Sequence, residues 1–244
     1  MGERRIERAL GRCCLAVPDA SGGPGVLVLH AWWGLTPFFK MVCQRLAGEG
    51  FVALAPDLYH GVTASTDDEA KRLRCELDSD KVMREMAATV CSLCKHPAVD
   101  SPFVGILGFS LGAYLALRLA RSEPDTVRAV VLFYANEGGS FDGARAAFLG
   151  HFASDDGCWV GARAVRSLEA RLRAAGCEVT FHTYRHMKHS FFEEDRPEAY
   201  DAEAAQLAWE RTVDFLRRKL GRTGHSAHTM MWANAVHSRH TAII

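Results

Sequence analysis

The residues most suited to chemistry are centred on Ser110, in Gly108-Phe109-Ser110-Leu111-Gly112. A serine hydroxyl is a poor nucleophile at neutral pH, so attack on a carbonyl needs a base to take its proton and return it to the leaving group. A carboxylate behind that base fixes its tautomer and stabilises the imidazolium. Both residue types follow downstream. Asp155 and Asp156 lie in the polar stretch Ala153-Ser-Asp-Asp-Gly-Cys158, and His186 and His189 in Arg185-His-Met-Lys-His-Ser190. Serine, acid and histidine in that chain order form the constellation of a hydrolase whose nucleophile sits on a strand–turn–helix elbow. The residues alone leave open which aspartate and which histidine take part.

The elements that must position these groups are legible around them. Phe103–Leu107 is an apolar run of strand length, and the stretch after Gly112 has the Ala/Leu/Arg content of a helix. A turn this sharp works only where the residues two before and two after the serine lack colliding side chains, and both are glycine. The elbow lifts the hydroxyl above the carboxyl end of a strand, beside the unpaired first amides of a helix. The amide of Leu111 is one oxyanion donor, and the loop Ala31–Pro37 after the apolar run Val26–His30 can supply the second.

The rest of the chain alternates in the same way. Strands are predicted over 12–17 (an edge), 26–30, 51–55, 127–134, 146–152 and 177–184, and helices over 38–49, 66–95, 160–175 and 199–220. The helical stretch from 66 starts with the capping-box pattern Thr66-Asp-Asp-Glu69. The expected fold is α/β, of α/β-hydrolase type: a mostly parallel central sheet flanked by helices. Residues 1–220 form one such domain. Residues 221–244 lose amphipathic period and are expected to be a disordered tail outside the fold.

Composition narrows the partners. The 244 residues are 48% hydrophobic and 24% charged, with 29 basic and 29 acidic side chains, so no global field attracts nucleic acid or an anionic membrane. No stretch has the ~20 apolar residues of a membrane span, and the charged start Met-Gly-Glu-Arg-Arg lacks a signal-peptide core. The eight cysteines are scattered rather than framed as disulfides. Neither Cys91-Ser-Leu-Cys94 nor the histidines of the tail have the company of a metal site, and Cys158 reads as an apolar neighbour of the acid. A cytoplasmic protein without metal or cofactor is expected, acting on a small molecule as a monomer or homodimer.

The sequence also resembles a known family. Leu29-His-Ala-Trp-Trp-Gly-Leu-Thr-Pro37, Pro56-Asp-Leu-Tyr59, Gly108-Phe-Ser-Leu-Gly112, Gly150-His-Phe-Ala-Ser-Asp-Asp156, His189-Ser-Phe-Phe192, Arg196-Pro-Glu-Ala-Tyr200 and Trp209-Glu-Arg together are similar to the dienelactone hydrolases, over about residues 10–220. The resemblance implies Ser110 as nucleophile, His189 as base and Asp156 as acid, with Asp155 in reserve and His186 outside the reaction. It implies oxyanion amides on Leu111 and Trp32. Trp32, Trp33, Phe38, Tyr59 and the loop 135–140 are expected to line the substrate pocket. Three departures stand out: serine occupies the elbow where the best-known members have cysteine, Ala31 occupies the position of a glutamate that contacts that cysteine, and Glu193 stands where an arginine anchors the substrate carboxylate and is expected to repel such a carboxylate. The expected activity is cleavage of an ester or lactone through an acyl-enzyme. The alternative is an α/β-hydrolase-fold binding module, or an acyl transferase or cyclase without net hydrolysis.

Overall fold

The computed structural model describes residues 13–19, 22–135, 137–157 and 159–221. The tail 222–244 and Cys158, both considered above, lie outside them. Strands β1 (Cys13–Ala16), β2 (Gly23–Leu29), β3 (Val52–Pro56), β4 (Val99–Phe109), β5 (Val127–Phe133), β6 (Ala147–Ala153) and β7 (Val179–Tyr184) form one seven-stranded sheet in the order β1-β3-β2-β4-β5-β6-β7. Only β1 is antiparallel, pairing with β3 at the edge. Among the described residues there are six helices: α1 (Pro37–Gly48), α2 (Asp67–Glu76), α3 (Ser79–Cys94), α4 (Leu111–Ser122), α5 (Ala162–Ala174) and, after β7, α6 (Ala202–Leu220).

The sequence dictates most of this. Val26, Leu27, Val28 and Leu29 are all fully buried, as a parallel strand covered by helices on both faces requires. The single helical stretch expected over 66–95 is instead two helices. Leu77 leaves helical geometry, and the Asp78 side chain accepts from the amides of Asp80 and Lys81 to start α3. At the start of α2, Thr66 and Glu69 form the expected capping box. Strand β4 begins at Val99 rather than after Pro102, because Val99 already pairs with Gly23 of β2, and the half-buried or exposed side chains of its first five residues give no apolar signal of it.

Two features of the topology create the site. Strand β2 lies between β3 and β4, so the chain turns to opposite sides of β2, and ligands of open α/β sheets bind beyond the carboxyl ends of the strands at such a switch point. The register also makes those ends level. Leu29 pairs with Gly108, Phe109 with Phe133, Phe133 with His151 and Ala153 with Tyr184, so the loops after β2, β4, β5, β6 and β7 all open onto one face. Beneath them Phe38, Phe39, Phe109, Phe133 and Phe192 pack ring against ring into a rigid floor.

Candidate active site

Ser110 has φ +50° and ψ −107°, the left-handed half of backbone space that a side chain normally avoids. The turn is held by the Ser110 amide donating to the Phe133 carbonyl at 3.0 Å and by the Tyr114 amide donating to the Ser110 carbonyl at 3.0 Å. The flanking glycines are sterically required. A Cβ on Gly108 would lie 2.6 Å from the Gly112 carbonyl oxygen, and one on Gly112 would lie 2.1 Å from the Leu29 carbonyl oxygen. Close packing of α4 against β2 therefore fixes the height of the serine. Tyr134 (φ +42°) and Ser190 (φ +66°) also have positive φ, one just past the end of β5 and the other beside His189. Strain of this kind, about 1–3 kcal/mol per residue, persists where surrounding structure enforces it.

The loops after β6 and β7 are zipped together. The Ser154 amide donates to the Tyr184 carbonyl and the Asp155 amide to the Met187 carbonyl, both at 2.9 Å. This brings Asp156 Oδ1 to 2.7 Å from His189 Nδ1, while His189 Nε2 lies 3.1 Å from Ser110 Oγ. The imidazole that donates from Nδ1 to the carboxylate is left with Nε2 as acceptor for the serine proton. Asp156 is buried, and that burial raises its pKa against the opposing pull of His189. Of the alternatives open in the sequence, Asp155 is exposed and accepts from the Ser154 hydroxyl at 2.7 Å. His186 is exposed, and its amide is held by Ser154 Oγ.

Two adjoining cavities open at Ser110, of about 410 and 380 Å³, and both are bordered by Trp32, Trp159 and His189. The larger is closed by Tyr114, Tyr134 and Ala135 and carries two cations from α2, Lys71 and Arg74. Trp33 borders the smaller, and the Arg196 guanidinium lies 3.7 Å from the centre of its ring. Leu111 borders the larger cavity, and as the first residue of α4 its amide has no intrahelical acceptor. Trp32 lies in the loop after β2 and borders both cavities. That loop is anchored by His30, fully buried, with Nδ1 2.7 Å from the Ala31 carbonyl and Nε2 accepting from the Leu58 amide at 3.2 Å. Burial pushes the His30 pKa down to about 4.

Three sequence expectations need correction. Phe38 faces down into the aromatic floor and touches neither cavity, because it lies on the buried face of α1. Tyr59 packs against His30 and borders a separate cavity with Leu73 and Leu77, on the far side of α2 from Ser110. Glu193 does not face substrate. It is fully buried and accepts from the Tyr134 hydroxyl at 3.0 Å, with its pKa raised to about 7 by burial and by Asp195 nearby. The turn Ser190–Glu193, closed by the Glu193 amide donating to the Ser190 carbonyl, carries it inward. Of the loop 135–140, Ala135 borders the larger cavity, whereas the carbonyls of Gly138, Gly139 and Ser140 are held by Arg121 and Arg171.

The sequence reading did not include Lys71, Arg74 or Trp159. The first two lie on one face of α2 at i, i+3 spacing, which signals a shared direction but not that the helix folds over the site. A tryptophan three residues after an acid, in an otherwise polar loop, is a signal the sequence did contain.

Residues 12–220 match the family model described as the dienelactone hydrolase family. The chain belongs to the dienelactone hydrolase family. This member is a hydrolase of α/β-hydrolase fold. It is 34% identical over 207 residues to Protein usf of Aquifex pyrophilus, covering 82% of this chain and 90% of that protein. It is 29% identical over 222 residues to the carboxymethylenebutenolidase of Rhodococcus opacus, covering 84% and 85%. Among solved structures it matches a dienelactone hydrolase-like promiscuous phosphotriesterase from metagenomic libraries with a TM-score of 0.74 at 23% identity, covering 83% of this chain and 89% of that one, a likeness of fold. Among the described residues, no helix of this dienelactone hydrolase family member is long and apolar enough to cross a membrane.

Proposed function

We propose that this protein is a serine hydrolase that cleaves a carboxylic ester or lactone through an acyl-enzyme. The observation that carries the reading is the continuous hydrogen-bonded line from Ser110 Oγ through His189 to Asp156 Oδ1, set on a strained elbow and open to a cavity. Ser110 attacks the carbonyl carbon as His189 Nε2 takes its proton, and Asp156 holds the imidazolium that results. The amides of Leu111 and Trp32 stabilise the oxyanion. The tetrahedral adduct collapses when His189 returns the proton to the departing oxygen, and in a lactone that oxygen stays tethered to the acyl chain. His189 then deprotonates a water that releases the acid and regenerates Ser110.

The cavity also suggests a substrate class. Arg74 and Lys71, the latter paired with Asp68 at 3.6 Å, bring positive charge to the larger cavity, and among the described residues no carboxylate side chain borders it. The name of the Rhodococcus opacus relative denotes a butenolide carrying a carboxymethylene group. An acyl group bearing a carboxylate fits the same charge pattern here. With Glu193 buried beneath Tyr134, the charge expected to oppose such a substrate is removed from the surface it would meet. We place the reaction in the cytoplasm, without cofactor, in a monomer or homodimer.

The test is hydrolysis of a panel of p-nitrophenyl esters and unsaturated lactones by wild type, Ser110→Ala and Ser110→Cys, alongside labelling with a fluorophosphonate probe. The expected result is probe labelling that disappears in Ser110→Ala, together with a fall in kcat of several orders of magnitude. Turnover that survives in Ser110→Ala would overturn the mechanism. Silence of both panel and probe in the wild type would leave the non-catalytic binding module as the better reading.

A further inference from the structure

Trp159 is the most exposed large hydrophobic side chain among the described residues, at 53%. Core packing does not explain an indole in that position, and a large exposed apolar group beside a cavity marks a binding surface. It is nonetheless held in a definite place. Its ring meets Trp32 edge-on, with centroids 5.1 Å apart and planes at 76°, and leans over His189 at 5.5 Å and 32°. Its amide donates to the Asp156 carbonyl at 3.3 Å, so the loop that supplies the acid also carries the tryptophan. Trp32 in turn meets Trp33 edge-on at 5.2 Å. Trp159 and Trp32 border both cavities together with Ser110 and His189, so the indole pair sits where the two cavities meet at the serine.

We propose that Trp159 is a specificity-determining residue, an aromatic partition over Ser110 that favours substrates whose acyl group presents a flat, conjugated face. The inference rests on the serine hydrolase reading above and adds a selection that the reading does not contain. A conjugated acyl group lies in one plane with its carbonyl and can stack or meet an indole edge-on, whereas a saturated ring of similar size is puckered and makes fewer such contacts. Trp159 leans on His189, but the hydrogen bonds joining Ser110, His189 and Asp156 run between those three side chains, so this one half-exposed side chain moves the preference while those bonds keep their partners.

The experiment compares kcat/KM for p-nitrophenyl benzoate and p-nitrophenyl cyclohexanecarboxylate in wild type, Trp159→Phe and Trp159→Leu. The leaving group is constant, and the intrinsic reactivity of each ester cancels when the benzoate-to-cyclohexanecarboxylate ratio is compared between variants. An aromatic contact predicts a ratio roughly 3- to 10-fold lower in Trp159→Leu and largely kept in Trp159→Phe. A uniform loss on both esters, or an unchanged ratio, would overturn the partition. Trp159→Phe guards against a folding defect in the leucine variant, since a ratio that moves in neither variant also refutes the proposal. Fluorophosphonate labelling of the same proteins separates the two failures. Intact labelling with an unmoved ratio removes only the role of Trp159, whereas absent labelling in the wild type removes the serine mechanism beneath it.

Discussion

Glu193→Gln should stabilise the protein at alkaline pH and do far less at acid pH. Glu193 is fully buried, and burial together with Asp195 raises its pKa from an ordinary 4.5 to about 7. The folded state therefore holds a proton that the unfolded chain releases at lower pH, so the unfolded state gains on the folded one as pH rises from 4.5 to about 7. Below 4.5 the penalty is absent, and above 7 it is complete, at ~3 kcal/mol from 1.36 kcal/mol per pH unit. Glutamine does not titrate, and its side-chain oxygen can still accept from the Tyr134 hydroxyl, so the substitution removes the charge and keeps the hydrogen bond. The variant's advantage over wild type should grow by about 2–3 kcal/mol between pH 5 and pH 8, which for a chain of this size is roughly 5–10 °C in Tm. Paired urea or calorimetric unfolding of the two proteins at both pH values measures it, and other titrating groups cancel in the difference. An advantage that is equal at the two pH values would refute the reasoning, because it would mean that Glu193 is not held protonated by the fold.

Other consequences concern the same face of the sheet. His30 and His151 are fully buried and burial depresses both, His30 to about 4, so the stability their neutral forms contribute is present above 6.5 and is lost as pH falls. In the Glu193→Gln background, where the opposing glutamate titration is gone, unfolding free energy should fall between pH 6.5 and 4, with ~3 kcal/mol of loss from His30 partly offset by Asp156, whose pKa burial raises, and a stability that rises over that interval would contradict the burial argument. Asp156→Asn should lower kcat by about 10³- to 10⁴-fold through the wrong histidine tautomer, whereas Asp155→Asn, on the exposed side of the loop, should stay within about threefold; steady-state kinetics on a p-nitrophenyl ester tells the two apart. Gly112→Ala forces α4 away from the Leu29 carbonyl, and should cost both fluorophosphonate labelling and at least about 2 kcal/mol of stability. A soluble variant that labels at the wild-type rate would show that the close approach is not needed.

Much of this molecule was readable from local pattern because the governing interactions are local. The buried runs of β2 and β5 are continuous stretches of apolar residues, the capping box that starts α2 spans four residues, and the two glycines of the elbow act on backbone within one turn of Ser110. Serine, acid and histidine could be ordered along the chain because each follows its own strand. Which aspartate meets the imidazole could not be read, since neighbouring loop residues point in directions set by the path of the loop. That path is fixed by the amide bonds joining the β6 and β7 loops, contacts between residues about 30 positions apart.

The sequence by itself determined the elements, their alternation and the chemistry available at the ends of the strands, because these follow from periodicity, caps and turn glycines. Only the tertiary structure decided what surrounds that chemistry. Phe38 and Tyr59, taken from the sequence as pocket residues, belong to the floor and to another cavity, and Glu193 is buried against a tyrosine that lies 59 positions away. Lys71 and Arg74 reach the site because α2 folds across the mouth of the sheet, and Trp159 because its loop returns toward Trp32. The face a side chain presents is set by the packing of whole elements, and that packing is long-range in sequence.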